Sequence, residues 1–287
     1  MKYDAFSRFH PLVNFIFFIG AIACCVVIQH PAYLIASLVA ALSYDVLLRG
    51  SRAWKSAAKF TPVVILVAAV NPLFNTDGQT VLFFLFGRPY TFEALCYGLV
   101  TAIMLASTIL WFSCYNQVMT ADKFTSLFGN FSLSLLLVMI LRMIPALSKK
   151  ATQIANARSC IGKGTNENAT LRHKLKNGMA LLSAVTDHAL EGSVITADSM
   201  RARGYGAAKR TSFQIYRIQA RDYVLLAYQF LMLALVILCG KTGVTYTPKL
   251  AIQNVSLGFY AYCAYLLIPL MLQAKEAIQW RLSMSKI

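Results

Sequence analysis

Six predominantly apolar runs, at 12–29, 31–48, 60–76, 94–113, 223–240 and 256–273, set the solvent in which this chain folds. A bilayer core takes about 20 apolar residues of α-helix to cross, and each run comes near that length. Inside lipid no water meets a bare N–H or C=O, so such a run satisfies its peptide groups by coiling into a helix. The expectation is an all-α, polytopic membrane protein with six spans. Composition agrees: of 287 residues 58% are hydrophobic and 13% charged, roughly half the charged share of a soluble domain. His30-Pro31 reads as a tight break between the first two spans. Asn71-Pro72, then Asn75-Thr76-Asp77-Gly78, reads as the turn that closes the third. The first run follows Lys2 and Arg8, as a secretory signal would. Its length and the spans behind it favour an uncleaved helix.

Charge orients the runs. The chain carries 27 Lys+Arg against 11 Asp+Glu, a net charge of +16. Lys2 and Arg8 precede the first span, and Arg49, Arg52, Lys55 and Lys59 fill the segment between the second and third. The opposite side holds Arg88 within 77–93, and Lys241 and Lys249 beyond the fifth span, while Lys275, Arg281 and Lys286 follow the sixth. Basic loops stay in the cytoplasm, so both termini are expected there. Fourteen of the 27 basic residues lie between Arg142 and Arg221. Within that stretch 131–147 is apolar enough to suggest a span, and 178–200 moderately so. If both crossed, the seven basic residues of 148–177 would sit outside. Both are therefore read as helices along or below the cytoplasmic face, with Arg142 snorkelling to the interface and Pro145 ending or kinking the first. The organisation that follows is four spans in 1–115, a basic cytoplasmic region in 116–222 and two spans in 223–287. Basic charge tethered at a membrane is explained by orientation, which removes the case for nucleic-acid binding.

Few residues offer chemistry. Of the cysteines 24, 25, 96, 114, 160, 239 and 263, all but Cys160 lie in or beside apolar runs. None forms a C-x-x-C or Cys/His cluster, so no metal or disulfide framework is expected. Asp45 precedes Arg49 by four residues, the spacing of a helical ion pair. Gly240-Lys241-Thr242 ends as a phosphate-binding loop does, but Leu235 stands where that loop needs glycine. ATP, if it drives this chain, is bound by another. Asp187, Glu191 and Asp198 can pair with neighbouring bases, and no metal-ligand histidine pattern accompanies them.

Two segments share a pattern: Ala157-Arg158-Ser159 and Ala202-Arg203-Gly204. Small flanks leave a guanidinium as the one protruding group, suited to entering a groove and forking onto a carboxylate. Ordinary positive-inside charge is the competing reading. The second segment lies in Thr196 to Gly206, which reads as a helix stopping on glycine, with Gly204 and Gly206 supplying left-handed geometry and arginines placed where the helix dipole favours cations.

With those residues in view, the chain resembles the transmembrane coupling subunit (the T component) of energy-coupling factor transporters, a family that includes the membrane subunit of bacterial cobalt importers. The resemblance runs over nearly the whole length. It is carried by Phe9-His10-Pro11-Leu12-Val13-Asn14-Phe15, Asn71-Pro72-Leu73-Phe74-Asn75, Asp122-Lys123-Phe124, Leu141-Arg142-Met143-Ile144-Pro145 and, most specifically, Thr196 through Gly206 followed by Arg210-Thr211. It implies that Arg158 and Arg203, at the ends of cytoplasmic coupling helices, insert into grooves of two ABC ATPase subunits. Ser159 stands where glycine is also common. It also implies that apolar coupling-helix surface, here Phe131 to Leu147, holds a small substrate-binding membrane subunit. ATP and magnesium would be bound by the ATPases, with no cofactor and no catalytic residue in this chain. The cargo would be a vitamin or a cobalt or nickel ion, and the location a bacterial plasma membrane. The alternative is a stand-alone secondary transporter or channel, which needs buried charges or broken helices along a path. A membrane enzyme would need an acid–base or metal constellation.

Overall fold

In the computed structural model the chain is described over residues 5–75, 80–85, 88–127, 133–164, 170–207, 216, 218–240, 244–245, 251–252 and 256–284. It divides into two compact units, one of Met1–Thr120 with Tyr216–Ile287 and one of Ala121–Ile215. The first holds a 3-10 turn (Phe6–Arg8) and helices α1 (Pro11–Val27), α2 (Pro31–Arg49), α3 (Ser51–Phe74), α4 (Phe92–Val118), α8 (Ala220–Cys239), α9 (Leu257–Leu266) and α10 (Ile268–Met284). It also holds the strand pairs β1 (Val81–Leu85) with β2 (Arg88–Thr91) and β3 (Val244–Thr245) with β4 (Ala251–Ile252). The second holds α5 (Ala121–Leu127), α6 (Leu133–Cys160) and α7 (Leu171–Ala202).

Among the described residues the architecture is all-α apart from those two short strand pairs. Among the described residues four helices, α2, α3, α4 and α8, are long and apolar enough to cross a membrane, and α9 with α10, bent by 49°, make a fifth if the pair is one span. The first of the six expected spans is α1, whose 17 residues stand at the lower end of spanning lengths. Neither α6 nor α7 is among the candidates.

Two histidine–proline pairs start the first two helices in the same way. His10 and His30 are the N-caps of α1 and α2, proline follows each, and each Nδ1 accepts from the backbone N–H two residues on, Leu12 and Ala32, at 3.2 Å. The ring thus satisfies one of the four orphan donors of a helix start, and proline at N1 forgoes another. The expected break at His30-Pro31 is this cap.

Other expectations need correction. The segment expected as a loop between the second and third spans is helical. Gly50, at φ +63°, ends α2 and α3 starts at Ser51, so Arg52, Lys55 and Lys59 stand on α3. A single left-handed residue reverses the path at no steric cost when it is glycine. Nor does Asn71-Pro72 close the third span: Pro72 lies inside α3, which ends at Phe74 with Asn75 as its cap. Proline there removes one hydrogen bond in a last turn that already faces unpaired carbonyls. Residues 76–79 lie outside the described ones. Of the two outcomes expected at Pro145, an end or a kink, the first does not occur, since α6 runs on to Cys160. The run expected as the sixth span falls on the bent pair α9 and α10, broken at Leu267 two residues before Pro269. Strands β1 and β2 occupy a stretch read as loop, pairing Val81 with Thr91 and Leu85 with Arg88. Thr91 then caps α4 through Ala94 N–H, and Glu93 accepts from the Thr80 hydroxyl at 2.7 Å.

The core of the first unit is aromatic. Phe17 on α1 meets Trp111 on α4 edge-on at 5.7 Å and stacks on Tyr265 of α9 at 5.2 Å. Phe6 closes the same cluster against Phe17 at 5.2 Å. Buried aromatics with polar tips need partners, and they have them: Trp111 Nε1 donates to Ser37 Oγ at 2.9 Å, and the Tyr265 hydroxyl to the Phe17 carbonyl at 2.9 Å. Gly20 makes room for that hydroxyl, which a Cβ would strike. Asp45 and Arg49 form the expected pair at 3.2 Å with Asp45 fully buried, and Arg49 also donates to the Ser113 carbonyl. At one end, Arg8 pairs with Glu276 at 2.6 Å, and Arg221 lies 5.1 Å over the Phe9 ring. Asp222 accepts from the N–H groups of His10 at 3.4 Å and Gln219 at 2.8 Å. The N-terminal segment is thereby tied to α8 and α10.

Candidate functional site: two arginine-bearing helix ends

Both Ala-Arg-small segments fall at helix C-termini, and both ends are closed by one backbone device. At the end of α6 the Gly162 N–H donates to the Ser159 carbonyl (3.1 Å) and the Lys163 N–H to the Arg158 carbonyl (2.9 Å), with Gly162 at φ +71°. At the end of α7 the Gly204 N–H donates to Arg201 (2.9 Å) and the Tyr205 N–H to Met200 (3.0 Å), with Gly204 at φ +80°. Each is a Schellman motif, which returns two orphan carbonyls to backbone donors through one left-handed glycine. The expected stop of α7 on Gly204 is seen, and Gly206 follows at φ +92°.

The two arginines nevertheless stand in different registers. Arg158 is still in the last helical turn, four residues before its glycine, and is half-buried. Arg203 is the C-cap itself, one residue before Gly204, and is exposed together with Ala202 and Gly204. Ala157 and Ser159 are exposed on α6, where the Ser159 hydroxyl donates to the Ala155 carbonyl at 3.0 Å. So the resemblance between the two segments is one of composition, with Arg158 inside its helix and Arg203 the exposed cap of its own.

Nor does the structure bring the two arginines together. Ser159 packs on Gly164, whose carbonyl accepts from Asn177 Nδ2 at 3.2 Å, so the Arg158 end lies beside the start of α7. From Asn177 to Ala202 the unbroken helix advances about 1.5 Å per residue, which holds the two arginine ends roughly 40 Å apart. The Arg158 end of α6 and the Arg203 end of α7 are thus two separate points, one near each end of the rod formed by α7.

That rod has no buried residue. Leu171, Leu175, Met179, Leu182, Leu190 and Val194 recur at spacings of three, four or eight residues along α7, each more than 60% exposed. The first four border a shallow apolar hollow of about 390 Å³ centred on Gly178. On α6, Leu136, Ile140 and Ile144 continue the exposed apolar surface, and Arg142 is exposed among them. Phe131 lies outside the described residues, as do Lys241, Thr242, Arg210 and Thr211. Apolar stripes of this extent on one unit mark a surface that another molecule or a membrane covers. Asp187, Glu191 and Asp198 are exposed and form no ion pair with a described residue. Among the described residues no three of His, Cys, Asp and Glu gather as a metal site, and the seven cysteines are free.

The sequence reading missed two buried amides. Asn14 on α1 and Gln229 on α8 are fully buried with both side-chain polar atoms unpartnered. The signal was present, since each is an isolated amide within an apolar run. It also missed Gly162, whose place four residues after Arg158 and before Lys163 is a legible helix stop. A scan of protein-family models and a search of curated proteins return no match to this chain, so its function is argued from the residues and geometry above.

Proposed function

We propose that this chain is the non-catalytic transmembrane coupling subunit of an importer of the energy-coupling factor type. It sits in a bacterial plasma membrane with both termini in the cytoplasm. It joins two ABC ATPase subunits, which bind ATP and magnesium, to a small substrate-binding membrane subunit that carries a vitamin or a cobalt or nickel ion. The observation that carries this reading is α7: a 32-residue helix with no buried residue, an arginine at its capped end, and a second arginine-bearing end beside its start.

The physics of such an arrangement suits transmission rather than chemistry. A continuous helix passes displacement along its length with little loss, because each turn is braced by hydrogen bonds. Arginine offers a charge that stays on and a planar fork for a carboxylate at the far side of an interface. Two such ends, tens of ångströms apart, engage two copies of an ATPase and feel their approach and separation. The apolar stripes then hold the membrane subunit whose orientation must change. Bound nucleotide and its hydrolysis stay in the partners.

The test is reconstitution with the ABC ATPases encoded in the same genome. Tagged chain should copurify with two nucleotide-binding subunits, and the isolated chain should hydrolyse no ATP. Hydrolysis by the isolated chain, or purification with no ATPase under conditions that preserve other ABC complexes, rejects the proposal.

A further inference from the structure

The first three turns of α3 carry Arg52, Lys55 and Lys59, all exposed, and the first turn holds no acidic residue. None of the three forms an ion pair with a described residue. Arg49 beside them is excluded from the group, because Asp45 and the Ser113 carbonyl already hold it. At 100° per residue the three cations fall on one face of α3, and Val63 and Leu66 continue that face within an arc of about 80°. Val63 is 45% and Leu66 61% exposed. The opposite side of α3 packs on α4, where Asn71 Nδ2 donates to Thr101 Oγ1 at 2.8 Å and Gly98 admits the Ala68 carbonyl. The outward face therefore runs from three uncompensated charges to bare apolar surface over about 20 Å of helix.

We infer that this face is a binding site for an anionic phospholipid. The inference rests on the membrane-spanning reading and not on the coupling role. Order along the helix selects the ligand class. A free phosphate or an acidic peptide matches the cations and gains nothing from Val63 and Leu66. A phospholipid matches both, its phosphate against Arg52, Lys55 and Lys59 and its acyl chain along Val63 and Leu66. Trp54, 64% exposed in the same turns but on another side of the helix, belongs to the residue type that anchors at the bilayer interface and marks that depth. Clustered Lys and Arg next to a span attract anionic lipid, each adding to the affinity.

The experiment uses the full chain purified in neutral detergent and native mass spectrometry with added dioleoyl-phosphatidylglycerol or dioleoyl-phosphatidylcholine. Phosphatidylglycerol should be retained at least tenfold better, and raising salt should shrink the difference. The triple variant R52Q/K55Q/K59Q should lose the preference, while K149Q/K150Q/R172Q, with equal charge removed elsewhere, should keep it. Glycerol phosphate at millimolar concentration should not displace the lipid. Equal retention of the two lipids by the unaltered chain overturns the inference, however the variants behave. So does full displacement by glycerol phosphate or by a soluble polyglutamate peptide, or equal loss in both triple variants. None of these outcomes bears on whether ATPases bind α7, so the two proposals fail separately.

Discussion

Single residues divide here into those that hold the fold and those left over for a partner. Trp111, with its ring in an aromatic cluster and its N–H on Ser37, is fully committed. Arg203 forms no ion pair with a described residue: it is exposed, caps α7, and is flanked by Ala202 and Gly204. Substituting it should leave insertion and folding intact and act on partner binding alone. Arg203→Glu reverses charge at the proposed ATPase contact, and removing one member of a buried pair is costly. Recovery of the ATPase complex should fall at least tenfold. Arg203→Lys should give a smaller loss, since the charge stays and the fork goes. Arg172→Glu, on the same helix outside both motifs, is the control and should change recovery less than twofold. Complex yield and uptake at matched expression decide it, and equal small effects at Arg203 and Arg172 would reduce Arg203 to a topology signal. Arg158, half-buried within its helix, should be less sensitive to the lysine replacement.

At the scale of elements, the helix ends are where chemistry and architecture meet. The N-cap of α1 is an imidazole that accepts a hydrogen bond through Nδ1, so it works only while that nitrogen is unprotonated. Burial lowers the pKa of His10 below the ordinary imidazole value, against the opposing pull of Asp222. A lowered folded-state pKa means the neutral form is favoured by folding. Its contribution is complete above the unfolded value, about 6.5, and is lost as pH falls through the folded one. Thermal unfolding of the purified chain between pH 8 and 5 should show this loss, of about 1 kcal/mol for a failed cap. His10→Asn, a cap that does not titrate, should flatten that part of the profile. An unchanged profile in the variant would show that the acid sensitivity lies elsewhere.

For the whole molecule the decisive property is which ends face which side. The loop charges predict that position 163 and position 78 lie on opposite sides of the membrane. With Cys160, the one exposed cysteine, replaced by serine, cysteines introduced at Lys163 and Gly78 should react with an impermeant maleimide from opposite sides. Reaction of both from outside would overturn the orientation and, with it, the docking of α6 and α7 on cytoplasmic ATPases.

What the amino-acid sequence determined by itself was local or compositional. Apolar run length sets the helical, membrane-spanning class, because lipid offers peptide groups no other partner. His30-Pro31, Asp45 with Arg49, and the glycine stop after Arg203 were legible because each acts within about one helical turn. The errors were also local, where one signal was given too much force. Proline at 72 looks like a terminator, yet α3, packed on α4, tolerates one lost hydrogen bond and runs two residues further. Gly50 alone turns a charged stretch from loop into the start of α3, which four basic residues had disguised. Only the tertiary structure decided the rest. That Trp111 finds Ser37, or that His10 is tied to Asp222 over two hundred positions away, depends on distant segments meeting, and no periodicity records that. The same holds for the site: two similar tripeptides share a composition, and the three-dimensional register of their caps made one arginine half-buried and the other exposed.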